Sequence, residues 1–228
     1  MTTTAARPGT TFRREWRVPA GLITLSLVPV LAGALRLAEL GAGAQITPDN
    51  ERFHAAPGPV VVHIVGVTVY AILGAFQFAP RFRARRRGWH RTAGRLVVLC
   101  GLLAATSGLW MSLWYPRPAD VGDLVTAFRL VFGTAWVAFL VLGFVAVRRR
   151  DFAHHRDWMI RAYAVGMGAG TQALTHLPWM VAVGAPDKFS KALLMFAGWA
   201  INLAVAEWVI RRRASRSRST RNPTVVEA

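Results

Sequence analysis

Six stretches of this chain run for about the thickness of a bilayer with almost no charge, and they constrain the fold more than any other feature. Val18–Leu35, Ala55–Pro80, Leu96–Pro116 and Ala162–Pro186 contain no Asp, Glu, Lys or Arg; Leu124–Val147 contains only Arg129, and Ala192–Ile210 only Glu207. A membrane-crossing helix needs about 20 mostly apolar residues. The pattern predicts an all-α fold, a six-helix transmembrane bundle with helices at about 18–40, 59–80, 93–115, 123–147, 157–183 and 189–210. No connection is long enough to hold a separate soluble domain. Residues 1–17 are expected to form a cytoplasmic N-terminal segment, and 211–228 a basic, disordered cytoplasmic tail.

Composition points the same way. Charged residues make up 17% of the chain against about a quarter in soluble domains. With 54% hydrophobic residues the chain is too apolar to be disordered. The lone Cys100 excludes an intramolecular disulfide framework and a cysteine-cluster metal site. Nine Trp suit interfacial aromatic belts.

Orientation follows from the cations, because Lys and Arg accumulate in cytoplasmic loops. Of the 28 Lys and Arg, 22 fall in the N-terminal segment, the second and fourth connections with their flanks, and the tail. An even span count puts all four regions on one side, so both termini are expected in the cytoplasm. The first apolar stretch exceeds the 7–15 residues of a signal-peptide core and is read as an uncleaved anchor. Of the basic residues 26 are Arg, and the chain is rich in Ala, Gly and Val, a coding bias of GC-rich bacterial genomes. The expected location is the bacterial cytoplasmic (inner) membrane, multi-pass. The net charge of +17 then belongs to helix ends that meet anionic lipid headgroups, not to a nucleic-acid surface.

A polar side chain within a spanning helix is costly and usually faces the bundle interior. Helical phase puts His63, Gly66, Tyr70, Gly74 and Gln77 on one stripe of the second span. It puts Arg161, Gly168, Gln172, Thr175, His176 and Trp179 on one face of the fifth. Depth sorts these residues into two layers. The outer layer holds His63, His176, Arg129 and Gln172, candidates for a cofactor site. The inner layer holds His90, Arg91, Arg95, His155, Arg156 and Arg161, candidates for lipid phosphate or a second haem. His155 and His176 lie 21 residues apart, about 31 Å along a helix, which leaves the inner histidines at headgroup level and favours lipid phosphate there.

The segments His90-Arg91-Thr92-Ala93-Gly94-Arg95 and His155-Arg156-Asp157-Trp158-Met159-Ile160-Arg161-Ala162-Tyr163 carry a resemblance, together with His63 and Phe76-Gln77-Phe78. With these motifs the chain resembles an uncharacterised family of bacterial predicted membrane proteins, a domain of unknown function of the DUF2306 type, over roughly residues 55–210. That resemblance implies the membrane architecture and carries no activity.

Three functions compete. In the first, His63 and His176 ligate the iron of a haem b and the protein transfers electrons to or from a redox partner. Arg129 then faces a propionate, and Gly66 and Gly168 leave room for the flat ring. The second is a small transporter or carrier, suited by glycine-interrupted helices and an intramembrane Arg. The third is a non-catalytic partner of a membrane complex. There is no CxxCH for covalent haem, and no GxxxxGK[ST], HExxH or GxSxG.

Overall fold

A computed structural model describes the backbone of residues 8–219 and the side chains of residues 16–216. Residues 1–7 of the expected N-terminal segment and residues 220–228 of the expected tail lie outside it. Among the described residues the fold is all-α, without strands: α1 (Pro8–Gly41), α2 (Glu51–Ala55), α3 (Pro57–Phe76), α4 (Pro80–Arg85), α5 (Arg87–Trp114), α6 (Asp123–Arg148), α7 (Phe152–Gly166), α8 (Gly168–Ala182) and α9 (Lys188–Ser219). Five of these, α1, α3, α5, α6 and α9, contain segments long and apolar enough to cross a bilayer. Their outer faces are apolar, with Leu31 and Val131 each 61% exposed, as a lipid-facing surface requires.

The chain divides into two compact units, Met1–Gly108 and Leu109–Ala228. In the first, α1 packs on α3. Gly66 of α3 brings that helix against α5, where a Cβ would stand 2.9 Å from the carbonyl oxygen of Cys100. Small residues at such a crossing let two membrane helices approach closely. Tyr70, Gly74 and Ala75 continue the buried face of α3. At one end of this unit Trp16, Phe76, Phe82 and Trp89 form a connected ring cluster, with Phe82 and Trp89 4.8 Å apart between centroids. Elsewhere Glu39 accepts from Arg36 and from the buried Asn50 amide, which ties the end of α1 to the following loop.

In the second unit α7 packs on α6 and α9, and α8 on α9. The single span expected at 157–183 is instead two helices meeting at Met167. Gly166, Gly168 and Gly170 surround that point, and each glycine costs a helix about 1 kcal/mol relative to alanine. Asn202 of α9 compensates by donating from Nδ2 to the carbonyl oxygen of Ala164 at 3.0 Å. At the break itself the Met167 amide donates to the carbonyl oxygen of Tyr163 at 3.0 Å, and the Gly170 amide to that of Met167 at 3.1 Å. A second departure concerns α9, which continues as helix through Arg211–Arg216 to Ser219, where a disordered tail was expected from 211. Arg is a good helix former, and extending an existing helix needs no new nucleus.

Candidate functional site

Three histidines share one arrangement. His63 Nδ1 lies 2.8 Å from the carbonyl oxygen of Ala104 on α5. His176 Nδ1 lies 2.8 Å from the carbonyl oxygen of Gln172, one turn earlier on α8. His155 Nδ1 lies 2.8 Å from the carbonyl oxygen of Gly143 on α6. A backbone carbonyl only accepts, so each Nδ1 carries a hydrogen, and a neutral imidazole so held has its lone pair on Nε2. His90 follows the pattern with a side chain, its Nδ1 meeting Oε1 of Gln77.

The seat of His63 is specific. A Cβ at Gly108 would stand 3.1 Å from Cε1 and 3.2 Å from Nδ1 of the imidazole, so the ring fills the space a side chain there would need. Ala104 oxygen also accepts from Ser107 Oγ at 3.0 Å, which fixes its surroundings. On α8, Trp179 follows His176 by three residues, placing both on one helix face. Its indole Nε1–H is buried without an acceptor. An unsatisfied donor in an apolar setting costs of order 1–3 kcal/mol. His176 is half-buried on the same face.

The other expected residues are engaged differently. Gln172 turns toward α9, donating from Nε2 to the carbonyl oxygen of Met195 at 3.1 Å and packing on Gly198. Arg129 is half-buried in the second turn of α6. The expected space for a macrocycle beside Gly66 and Gly168 is absent, and this corrects that expectation. Gly66 is covered by α5, and a Cβ at Gly168 would overlap Nε1 of Trp199. Trp199 in turn stacks on Phe132 at 4.6 Å and 18°. Arg91, Arg95 and Arg156 are exposed. Arg161 is not an outward-facing cation: its Nε and Nη2 donate to the two carboxylate oxygens of Glu207 at 2.5 and 3.0 Å, and its guanidinium lies 4.9 Å over Trp158. Among the described residues no three His, Cys, Asp or Glu side chains converge as a metal cluster.

Sequence reasoning missed Asn202, Trp199 and the Arg161–Glu207 fork. Asn202 carried a signal, a lone amide within the apolar stretch 192–210. Together with Thr171, whose Oγ1 donates to Asn202 Oδ1 at 2.7 Å, it forms a polar seam between the broken helix and α9.

Long apolar helices, lipid-facing exteriors and polar groups paired between helices define an integral, all-α membrane protein. The chain belongs to the family described as "Predicted membrane protein (DUF2306)", whose family model matches residues 60–210. No curated protein and no solved structure matches it.

Proposed function

We propose that the protein is a membrane electron-transfer protein for one haem b, which His63 and His176 would hold. The observation that carries this reading is the shared tautomer. Both imidazoles give their Nδ1–H to a backbone carbonyl at 2.8 Å and leave Nε2 as the donor atom. That second hydrogen bond fixes ring orientation and raises ligand basicity, as it does for metal-bound histidines generally. The pairing of these two residues rests on their matched depth along the apolar stretches. Neutral imidazoles add no net charge in a setting where charge is costly. The buried Trp179 N–H offers a donor for a carboxylate beside His176, and Arg129 offers a cation. Bound haem b supplies a one-electron centre whose potential is tuned by its ligands and surroundings.

The reading includes a topology of six spans, α7 and α8 together making the fifth, with both termini in the cytoplasm of a bacterium. Arg91, Arg95 and Arg156 then sit among anionic headgroups. Reporter fusions after Arg150 and after Asp187 report opposite compartments if this is right, and the same compartment if it is wrong. The haem reading is tested by haem content. Protein purified from haem-supplemented cells carries about one haem per chain, and folded protein with none refutes the reading.

A second reading has its own support. The seam of Thr171, Gln172 and Asn202, with Gly66 and Gly168 filled by neighbouring groups, suits polar residues that only hold helices together. On that reading the protein is a non-catalytic partner of a membrane complex, and the histidines are interhelical fasteners.

A further inference from the structure

Along its extension α9 carries a shallow, open groove of about 700 Å³, lined on this one helix by Ala204, Glu207, Trp208, Arg211, Arg212 and Ser215. These residues follow helical spacing, so one stripe of α9 grades from small and apolar, through an indole, to two guanidinium groups and a hydroxyl. We propose that this groove binds the headgroup of an anionic glycerophospholipid.

The charge balance carries the argument. Glu207 lines the groove, but both its oxygens are taken by Arg161 in a bidentate fork. The ion pair cancels that carboxylate and leaves the groove with the two positive charges of Arg211 and Arg212. Arg212 is held in place, its guanidinium 4.9 Å over the ring of Trp208. A planar guanidinium so oriented suits the oxygens of a phosphodiester. Continuity with the bilayer identifies the source of the phosphate as lipid. Ile201, Val205 and Trp208 are 47%, 55% and 57% exposed on the same helix, an apolar track for an acyl chain that leads into the groove. A tryptophan at the junction of apolar and basic stretches occupies the usual interfacial position.

The test uses the full chain purified in neutral detergent, titrated with phosphatidylglycerol, phosphatidylcholine or soluble glycerol 3-phosphate, and read by thermal unfolding and by native mass spectrometry. Phosphatidylglycerol is expected to raise Tm above the phosphatidylcholine value. Arg211→Gln with Arg212→Gln is expected to remove that increment and weaken phosphatidylglycerol binding about tenfold or more. Arg83→Gln with Arg85→Gln, exposed positions outside the groove, is expected to retain it. Should the groove pair fail to fold, Arg212→Lys keeps the charge but loses the stacked plane, and is expected to bind phosphatidylglycerol more weakly than the native chain. The proposal is overturned by equal losses in the groove and control variants, by an Arg212→Lys variant that binds like the native chain, by no preference for phosphatidylglycerol, or by glycerol 3-phosphate reproducing the whole effect.

Discussion

His63 donates its Nδ1–H to the carbonyl oxygen of Ala104 across 2.8 Å, and Gly108, four residues further along α5, leaves the space in which the ring lies. One helix therefore supplies both the acceptor that sets the tautomer and the notch that sets the ring position. Gly108→Val should displace the imidazole and lower haem absorbance per chain severalfold. Gly94→Val, at a position with nothing within 4 Å, should leave it unchanged. Equal absorbance in both variants would show that the notch has no part in binding.

Trp199 fills the space beside Gly168. A methyl group at 168 collides with an indole that Phe132 pins by stacking. Gly168→Ala should therefore destabilise the protein by about 1–3 kcal/mol, as overpacking does. The loss should be partly recovered by Trp199→Leu in the same chain. Denaturant unfolding in detergent measures both, and an unaffected Gly168→Ala variant would contradict the packing described.

How much of this was legible in the sequence depends on which interaction sets each feature. Hydropathy located the apolar parts of α3, α5, α6 and α9, because transfer into lipid depends on side chains alone. The helices run past the expected spans: α5 starts at Arg87, ahead of 93, and α9 ends at Ser219, beyond 210, and arginine is a good helix former. The break at Met167 was half visible, since Gly166, Gly168 and Gly170 fall within five residues, but only Gly168 entered the reading, as room for a flat ring. The Nδ1 acceptors of His63 and His155 were invisible, because every residue carries the same carbonyl and only the fold selects Ala104 and Gly143. The fork between Arg161 and Glu207 joins residues 46 positions apart, beyond any local pattern.

Asn202 serves two partners, the carbonyl of Ala164 and the hydroxyl of Thr171. Asn202→Ala should cost about 1–2 kcal/mol, near the upper end for interhelical hydrogen bonds in membranes. Thr171→Val should cost less, since it removes one bond. The double variant should fall short of the sum, because both changes remove the same contact. Strict additivity in unfolding measurements would show that the two side chains do not interact.

Asp187 caps the start of α9, accepting from the Ser190 and Phe189 amides and the Ser190 hydroxyl. The Ser190 amide, followed by its hydroxyl, holds the exposed carboxyl below its ordinary range. A folded pKa below the unfolded value of about 3.9 gives a contribution that is complete above that value and lost as pH falls toward the folded one. Amide exchange at Phe189 and Ser190, corrected for intrinsic rates, should therefore accelerate on acidification below about pH 4. Asp187→Ala should exchange fast at all pH values. A native profile flat through that window would contradict the cap.

If the proposed function holds, His63 and His176, each tied through Nδ1, would together hold one haem iron. The most direct measurement is a dithionite-reduced minus oxidised spectrum of protein purified after haem-supplemented expression, taken on the native chain and on His63→Ala, His176→Ala, His90→Ala and His155→Ala. A sharp α-band that is lost in His63→Ala and in His176→Ala, and kept in the other two, is the predicted result. A folded native chain without an α-band, or a band that survives the loss of both His63 and His176, would contradict it.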